Sequence, residues 1–584
     1  MPIKYFAHTS FLHLFLFFFS LTFIFSDCKT PTAVLKPVVT SVSQKSINAK
    51  KAVVACAHPI AAKIGVDIMK QGGNAIDASI AVQLALAVVY PRAGNIGGGG
   101  FLVYRSGNGK EINTLDFRER APSGASRDMY LDEKGNVIPD KSTRGPLAAG
   151  VPGTVEGCYQ MFLKYSKLKN WKKLVQPAID IANNGFTITE SEAKRLNEMK
   201  TTLLKFSSAP SVFIKTDEKV WQTGDILIQK DLAKTLVRVR DRGIAGFYEG
   251  ETANLIVAEM KKGGGIVTLA DLKNYTSVWR KPLIGQYRGY EIIGMPPPSS
   301  GGIALMQLLI ISEDKKLNTF PFHSPESMHL IVESERRVYA DRAEYLGDPE
   351  FFKVPQNQLL DKNYLRERMK DFDRNKATSS KQVKAGSFAA QSEQTTHISI
   401  VDGEGNATSI TTTLNDNYGC RTVVAGAGFI LNNEMDDFSV KPGVPNLYGA
   451  IGGEANSIQP LKHPLSSMTP TIVAKNGKLF MVVGTPGGTT IITSVFQVIT
   501  NVIDYKMTMF DAVQAPRFHS QWMPDIVMFE KKGLIGDIKQ QLEKKGHKIM
   551  ERPGIGLVEA ILVNPDGTLE GAADGRSDDD AEGY

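Results

Sequence analysis

The sequence predicts a mixed α+β fold. Three observations predict it: a strand–turn–strand pattern over Thr395–Asn415, two helical patterns near the start of the chain, and an apolar helix near its end. Of the 584 residues, 42% are hydrophobic and 22% are charged, which is usual for a globular protein. The chain is therefore long and apolar enough to bury a large core.

The stretch Thr395–Asn415 predicts a β-hairpin. Two runs rich in β-branched residues flank the turn cluster DGEGN. If those five residues form the loop, Val401 pairs with Ala407, and counting outward places Thr395 opposite Thr413. Alternation then puts both threonine side chains on one face of the sheet. The hairpin would bring two hydroxyl groups together at its open end.

Hydrophobic periodicity and end signals predict the other elements. The helices are Pro59–Gln71, Ala75–Val89, Pro325–Tyr345 and Thr490–Ile503, and the strands are Phe101–Arg105 and Ile112–Arg118. Ser324 is a favoured N-cap for the third helix, whose many charges predict a solvated face. The glycine loop Gly94–Gly100 precedes a strand rather than a helix, which excludes a dinucleotide-binding loop.

The segment before the hairpin is of a different kind. Asp371–Gln394 is polar, charged and poor in large apolar residues, as expected of a loop. A cut between Gln394 and Thr395 would give the threonine a free α-amine with an intrinsic pKa near ~8. One residue would then supply both a nucleophile and its base. From these residues alone, an ordinary threonine-rich strand after a polar loop stays open as the alternative.

The N-terminus predicts export. Lys4 precedes the apolar run Phe11–Phe25, which has the length of a signal-peptide core; an uncleaved membrane anchor is the alternative. We assign residues 1–28 to the signal peptide and residues 29–51 to a linker. Phe25–Cys28 resembles a bacterial lipoprotein processing site, which would anchor the protein through a lipid on Cys28, although Asp27 departs from that pattern. The predicted location is the periplasm or cell envelope.

Composition and motifs exclude several other classes of function. The net charge of +7 is small for this length and no long basic run occurs, so nucleic-acid binding is not predicted. The four cysteines have no CxxC spacing. Glu434, Asp436 and Asp437 are a weak metal signal, since no loop glycine of the calcium type accompanies them, and we predict no metal site. His397, Ser466 and Asp437 could be assembled into a triad, but neither Ser466 nor Ser467 has a nucleophile-elbow motif.

Several ordered blocks carry a resemblance to a known family. TTHISIVD at Thr395, TLN at Thr413, LNNEMDDFS, PLSSMTPTI and GTPGG closely resemble the gamma-glutamyltransferase family of N-terminal nucleophile hydrolases. The match runs from about Ala52 to Tyr584. It implies a four-layer αββα sandwich, cut into a large subunit (52–394) and a small subunit (395–584) that together form one folded unit. It also implies cleavage of γ-glutamyl bonds, as in glutathione, and transfer of the acyl group to water, amino acids or peptides, without a cofactor.

The resemblance also implies roles for individual residues. It implies that the catalytic residues are Thr395, Thr413, Gly487 and Gly488. The substrate α-carboxylate would be bound by Arg118, Ser466 and Ser467, and the α-ammonium by Asn415, Glu434 and Asp437. Tyr448 would act as the gate of a lid loop. Two other functions stay open at this point. One is a related acylase that acts on glutaryl or cephalosporin amides, and the other is a non-enzymatic envelope binding protein.

Overall fold

Antiparallel strands form the centre of the structure, a computed structural model that describes residues 37–40, 43–208, 211–215, 219–384, 395–447, 449 and 451–584. The strands are β1 (Ser46–Ala49), β2 (Val53–Cys56), β3 (Gly99–Arg105), β4 (Ile112–Phe117), β5 (Phe186–Thr187), β6 (Ile226–Leu227), β7 (Val278–Arg280), β8 (Leu283–Tyr287), β9 (Tyr290–Gly294), β10 (Thr396–Val401), β11 (Ala407–Thr413), β12 (Thr471–Lys475), β13 (Lys478–Gly484), β14 (Phe518–His519), β15 (Val527–Glu530), β16 (Ile549–Arg552), β17 (Glu559–Val563), β18 (Leu569–Ala573) and β19 (Asp580–Gly583). One seven-stranded sheet has the order β1-β18-β17-β13-β12-β9-β8, and the other has the order β19-β2-β10-β11-β3-β4-β7.

Helices cover both outer faces of this pair of sheets. They are α1 (Pro59–Lys70), α2 (Ala75–Val89), α3 (Thr154–Tyr165), α4 (Trp171–Asn184), α5 (Glu190–Phe206), α6 (Lys230–Arg242), α7 (Ala245–Tyr248), α8 (Gly250–Gly263), α9 (Leu269–Lys273), α10 (Gly301–Asp314), α11 (Pro325–Tyr345), α12 (Gln356–Leu359), α13 (Lys362–Arg368), α14 (Thr490–Ile503), α15 (Met509–Gln514) and α16 (Ile538–Lys544). Residues of α1 and α2 share one hydrophobic core with the second sheet, while α10, α11 and α14 share another with the first.

The two sheets face each other across a partly polar interface. Ser399 on β10 donates a hydrogen bond to the Glu559 carbonyl at 3.0 Å, and Ser409 on β11 donates to the Val483 carbonyl at 3.2 Å. Apolar residues of both sheets complete this inner layer. The layers therefore run helix, sheet, sheet, helix, which confirms the predicted four-layer sandwich.

The predicted hairpin is confirmed with its register. Val401 pairs with Ala407 and His397 pairs with Thr411 across β10 and β11. The pair lies at the centre of its sheet, because β2 flanks β10 and β3 flanks β11. Thr395 comes immediately before β10 and is buried. The hairpin therefore has a neighbouring strand on each side.

Helix α11 differs from the prediction. It has the predicted bounds and the Ser324 N-cap, but most of its charged residues are buried rather than solvated, with Glu326 and Glu344 as exposed exceptions. Ion pairs make this burial possible, since Glu333 pairs with Arg337 at 2.8 Å and with Arg336 at 3.3 Å. Part of the pairing comes from distant segments, as between Arg337 and Asp371 at 2.7 Å. Sequence periodicity cannot reveal partners that lie outside the helix.

The predicted linker also differs from the structure at its end. Ser46–Ala49 is the edge strand β1 and pairs with β18 in antiparallel register. An edge position requires bonding to only one neighbour, so this short polar segment can be held in the sheet. No helix in the described part of the chain is long and apolar enough to cross a lipid bilayer. The predicted signal peptide, including Cys28, lies outside the described residues.

Candidate active site

A cavity at the open end of the hairpin gathers most of the predicted site residues. It contains about 330 Å³ of empty space, counting its open mouth. The residues that line it are Arg118, Arg342, Thr395, Thr413, Asn415, Glu434, Asp437, Asn446, Ser466, Ser467, Met468, Gly488, Thr489 and Ile491. Two of the predicted residues, Gln394 and Tyr448, lie outside the described part of the chain. The lining is rich in charged and hydroxyl groups, which suits a small polar ligand.

Thr395 and Thr413 reach this cavity because the hairpin register places them at the same end of two paired strands. The Thr413 hydroxyl oxygen accepts a hydrogen bond from the Asn415 backbone N–H at 2.7 Å. Asn415 has φ 71°, and its side-chain amide donates to the Asn433 carbonyl at 2.9 Å. This tight turn fixes Thr413 in the cavity that Thr395 also lines.

Arg118 lies at the end of β4 and forms an ion-pair network with the acidic turn. Its guanidinium contacts the carboxylates of Glu434 and Asp437, and Glu119 lies 3.6 Å away. The sequence analysis assigned Arg118 to the α-carboxylate of the substrate and these acids to its α-ammonium, and it did not predict the contact between Arg118 and the acids. The two segments are more than 300 residues apart, and no local pattern predicts the pairing.

One guanidinium therefore meets three carboxyl groups, of which those of Glu434 and Glu119 are buried and that of Asp437 is partly exposed. Burial lowers the pKa of Arg118, but Glu434, Asp437 and Glu119 outweigh it and raise that pKa overall. Burial raises the pKa of Glu119 to about 7 and raises the pKa values of Glu434 and Asp437, against the opposing effect of Arg118. One Glu434 oxygen and both Glu119 oxygens accept no hydrogen bond from a described residue. The network is short of positive charge and could receive a cation such as an ammonium group.

Gly487 and Gly488 link β13 to helix α14 on another side of the cavity. Their φ values are 140° and 52°, a backbone conformation that glycine adopts without steric cost. Gly488 lines the cavity, and the following helix begins at Thr490, whose N–H donates to the Gly487 carbonyl at 3.0 Å. Backbone N–H groups at a helix start favour negative charge. This position suits the stabilisation of an oxyanion.

Comparison with known proteins identifies the family. The model of the family described as Gamma-glutamyltranspeptidase matches residues 61–584, which is most of the chain. The chain belongs to the gamma-glutamyltranspeptidase family. It is 46% identical to the glutathione hydrolase proenzyme of Escherichia coli (strain K12) over 536 residues, covering 91% of this chain and 92% of that protein.

Solved structures agree with this gamma-glutamyltranspeptidase assignment. The gamma-glutamyltranspeptidase of Helicobacter pylori is 44% identical with a TM-score of 0.55, covering 60% of this chain and 97% of that one. A cephalosporin acylase from Bacillus halodurans is 26% identical with a TM-score of 0.79, covering 93% and 98%. The fold is thus shared by hydrolase and acylase relatives, and the chemistry of the cavity has to distinguish them.

The triad that sequence analysis rejected has no support in the structure either. His397 is fully buried and hydrogen-bonds Thr411 at 2.9 Å and Ser399 at 3.1 Å, both within the hairpin. Burial lowers the pKa of His397 to about 3, which keeps the imidazole neutral. Ser466 and Asp437 line the cavity, and His397 does not.

A cluster away from the cavity has metal-like spacing. Ligand atoms of His329, Glu333 and His547 lie within 4.8 Å of one another. Most of their polar atoms already have partners, since the two imidazoles hydrogen-bond each other at 2.7 Å and Glu333 is paired with two arginines. Two neighbouring guanidinium groups also oppose a divalent cation. We assign no metal to this cluster.

Sequence reasoning missed Arg342 in the cavity. It lies in the last turn of α11, on the helix whose charges were predicted to be solvated. No sequence motif marks it. Asn446, in the predicted lid loop 445–456, was also missed as a contact; it donates to Asp437 at 3.3 Å.

Proposed function

We propose that this chain is a gamma-glutamyltransferase and glutathione hydrolase that cuts itself between Gln394 and Thr395. The observation that carries this function is the cavity, where a threonine hydroxyl, an oxyanion turn and an acid-rich arginine network lie together. Its relatives include proteins named glutathione hydrolase proenzyme at 40–46% identity. A substrate with a carbonyl and a charged amino-acid end would meet all three features at once.

Maturation needs only groups of the chain and one water molecule. The Thr395 hydroxyl attacks the Gln394 carbonyl carbon, the peptide nitrogen leaves as an amine, and water hydrolyses the resulting ester. Thr395 is then the first residue of the small subunit (395–584). The second sheet contains β2, β3, β4 and β7 from one side of the cut and β10, β11 and β19 from the other. The large subunit (52–394) and the small subunit would therefore stay together as one folded heterodimer.

Catalysis follows as a double displacement. The Thr395 amine accepts the proton of its own hydroxyl, and the oxygen attacks the γ-carbonyl of glutathione or a related compound. The N–H groups of Gly487 and Gly488 bind the oxyanion, and such a donor contributes ~10²–10³ in rate. The leaving amine takes the proton, which leaves a γ-glutamyl ester on Thr395. Water, or the amine of an amino acid or peptide, then takes the acyl group, and no cofactor takes part.

The charged end of the substrate would enter the arginine network. Glu434 and Asp437, with Asn415, receive the α-ammonium, because buried carboxyl groups are stabilised by a cation. Arg118, Ser466 and Ser467 receive the α-carboxylate through charge-assisted hydrogen bonds. Tyr448, in the loop that reaches the cavity through Asn446, gates the entrance.

Export is part of the proposal. The apolar run Phe11–Phe25 would direct the chain to the periplasm or cell envelope, with removal of residues 1–28. Acylation at Cys28 would hold the protein on a membrane surface. Partners of the active site are then small γ-glutamyl compounds and their amino-acid or peptide acceptors.

A glutaryl or cephalosporin acylase is the second candidate, favoured by the similarity to the Bacillus halodurans acylase. Purified protein should be assayed on γ-glutamyl anilide and glutaryl anilide side by side. We expect kcat/KM to favour the γ-glutamyl compound by at least about 10³, because the missing ammonium leaves buried carboxyl groups unpaired. Equal values, or a preference for the glutaryl compound, would support the acylase instead.

Thr413→Ala tests the support that the hairpin gives the nucleophile. We expect self-cleavage or turnover to slow by about 10- to 100-fold, because an oriented hydroxyl beside Thr395 is lost. The rates of cutting and of anilide hydrolysis measure the effect. Thr413→Ser keeps the hydroxyl and is the matched control. Wild-type rates in Thr413→Ala would remove Thr413 from the site.

A further inference from the structure

The side chain of Asn456 connects two segments that line the cavity. Its amide nitrogen donates to the Asp437 carbonyl at 2.7 Å, and its amide oxygen accepts from the Leu465 N–H at 2.9 Å. Asp437 ends the acidic turn, Glu434–Asp437, and Leu465 belongs to the serine loop, which we define as residues 464–468. Because the donor and the acceptor belong to one planar amide, this buried side chain fixes the distance between the two backbone positions.

Lys462 holds the backbone on both sides of Asn456. Its ammonium group donates to the carbonyls of Ala455 and Ser457, each at 2.9 Å. Lys462 is buried, and burial lowers its pKa to about 8, so the charged form predominates at neutral pH. The Asn456 carbonyl in turn accepts from the Ser439 N–H at 2.8 Å, just beyond the acidic turn. The protein therefore orients the Asn456 amide before any ligand binds.

Other contacts hold each of the two segments separately. Arg342 donates to the Ser467 hydroxyl at 2.9 Å, which ties the serine loop to helix α11, and the ion pairs of Arg118 hold the acidic turn. Arg118 also reaches the serine loop, through a longer hydrogen bond of 3.4 Å to the Pro464 carbonyl. The two bonds of Asn456 are shorter, so its amide is the closer connection between the segments.

Asn456 is the last residue of the predicted lid loop 445–456, but its contacts are those of a framework residue. It is 4% exposed and ends the short 3-10 helix Glu454–Asn456. Just before that helix, the Gly453 N–H donates to the Ala343 carbonyl of α11 at 3.0 Å. This end of the loop therefore belongs to the framework of the cavity.

We propose that Asn456 is a positioning residue: its amide sets the distance between Asp437, which would receive the substrate α-ammonium, and the serine pair Ser466 and Ser467, which would receive the α-carboxylate. Lys462 keeps that amide in place. This role rests on the proposed function, in which the substrate carries both charges on one carbon. Two charges on one carbon have a fixed separation, so both are bound well only when the two segments are correctly spaced.

Three anilides that differ in their charges test the spacing. γ-Glutamyl anilide has both charges, 4-aminobutyryl anilide lacks the carboxylate, and glutaryl anilide lacks the ammonium. In Asn456→Ala we expect kcat/KM on γ-glutamyl anilide to fall about 10- to 100-fold, mostly through KM. The values on the two single-charge compounds should each change less than about threefold, because a ligand held by one segment does not depend on its distance from the other.

Two further variants separate positioning from stability. Lys462→Met keeps the apolar stem without the ammonium group, and should give a smaller loss with the same dependence on both charges. Asn197→Ala is the matched control, because the Asn197 amide also joins two segments, donating to the Trp221 carbonyl at 2.9 Å and accepting from the Trp221 N–H at 2.8 Å, and does not line the cavity. It should leave kcat/KM on all three anilides unchanged, even if Tm falls.

Complete self-cleavage identifies variants whose site has assembled. Equal losses on all three anilides in cleaved Asn456→Ala, or no loss on γ-glutamyl anilide, would overturn the proposal. If Asn456→Ala is not cleaved, the comparison is made with Lys462→Met, and the same two results would overturn it. Failure of the wild-type enzyme to cleave γ-glutamyl anilide would instead refute the proposed function.

Discussion

Thr395→Ala is expected to remain a single uncut chain and to lose activity by at least about 10⁴-fold. The alanine has no oxygen to attack the Gln394 carbonyl, so no new amine forms, and it has no nucleophile for the substrate. Denaturing electrophoresis follows the cut, and hydrolysis of γ-glutamyl anilide follows the activity. The fold should persist, because Thr395 precedes β10 and takes no part in its ladder.

Two variants control this result. Thr395→Ser retains a hydroxyl and should be cut and active, at a reduced rate. Thr396→Ala removes the neighbouring buried hydroxyl, which bonds to no described residue, and should be cut and active. An uncut Thr395→Ala chain with substantial activity would contradict the threonine mechanism.

Asp437→Ala is expected to lose most of the preference for γ-glutamyl over glutaryl anilide, by about 10² in the ratio of kcat/KM values. Asp437 is paired with Arg118, and burial raises the pKa of its carboxyl group despite Arg118 and Arg342, so a further cation would stabilise its charged form. The substrate ammonium would supply that cation. Without Asp437 the ammonium of the γ-glutamyl compound loses a binding partner. The glutaryl compound has no ammonium, so the substitution removes no contact from it.

The adjacent acid provides a matched control. Asp436 is also buried, but its carboxylate accepts from Ser142 at 2.7 Å and from the Leu447 N–H at 2.7 Å, and it does not line the cavity. Asp436→Asn should keep the wild-type preference. An unchanged preference in Asp437→Ala would show that the ammonium is recognised elsewhere.

Local patterns predicted those parts of the fold that short stretches of sequence determine. The five-residue loop fixed the register of β10 and β11, because strand alternation allows only one arrangement for that loop. Ala75–Val89 was predicted as an apolar helix and is buried throughout its length. In each case the residues that decide the element lie within it or next to it.

Contacts between distant segments could not be predicted in this way. The charges of α11 were interpreted as a solvated face, yet its arginines pair with acids that follow much later, such as Asp525. The same limit applies to Arg118 and its acidic partners, and to Arg342 beside Ser467. The family resemblance supplied residue roles, but it did not reveal which charges are neutralised in the folded chain.

Intact-mass analysis of the purified wild-type protein tests the central claim most directly. The account predicts two chains, the smaller beginning at Thr395 and ending at Tyr584, whose masses together exceed that of the processed uncut chain by one water molecule. Brief incubation with a γ-glutamyl donor should add a γ-glutamyl group to the smaller chain alone. A fully active protein that consists of one uncut chain would contradict the account.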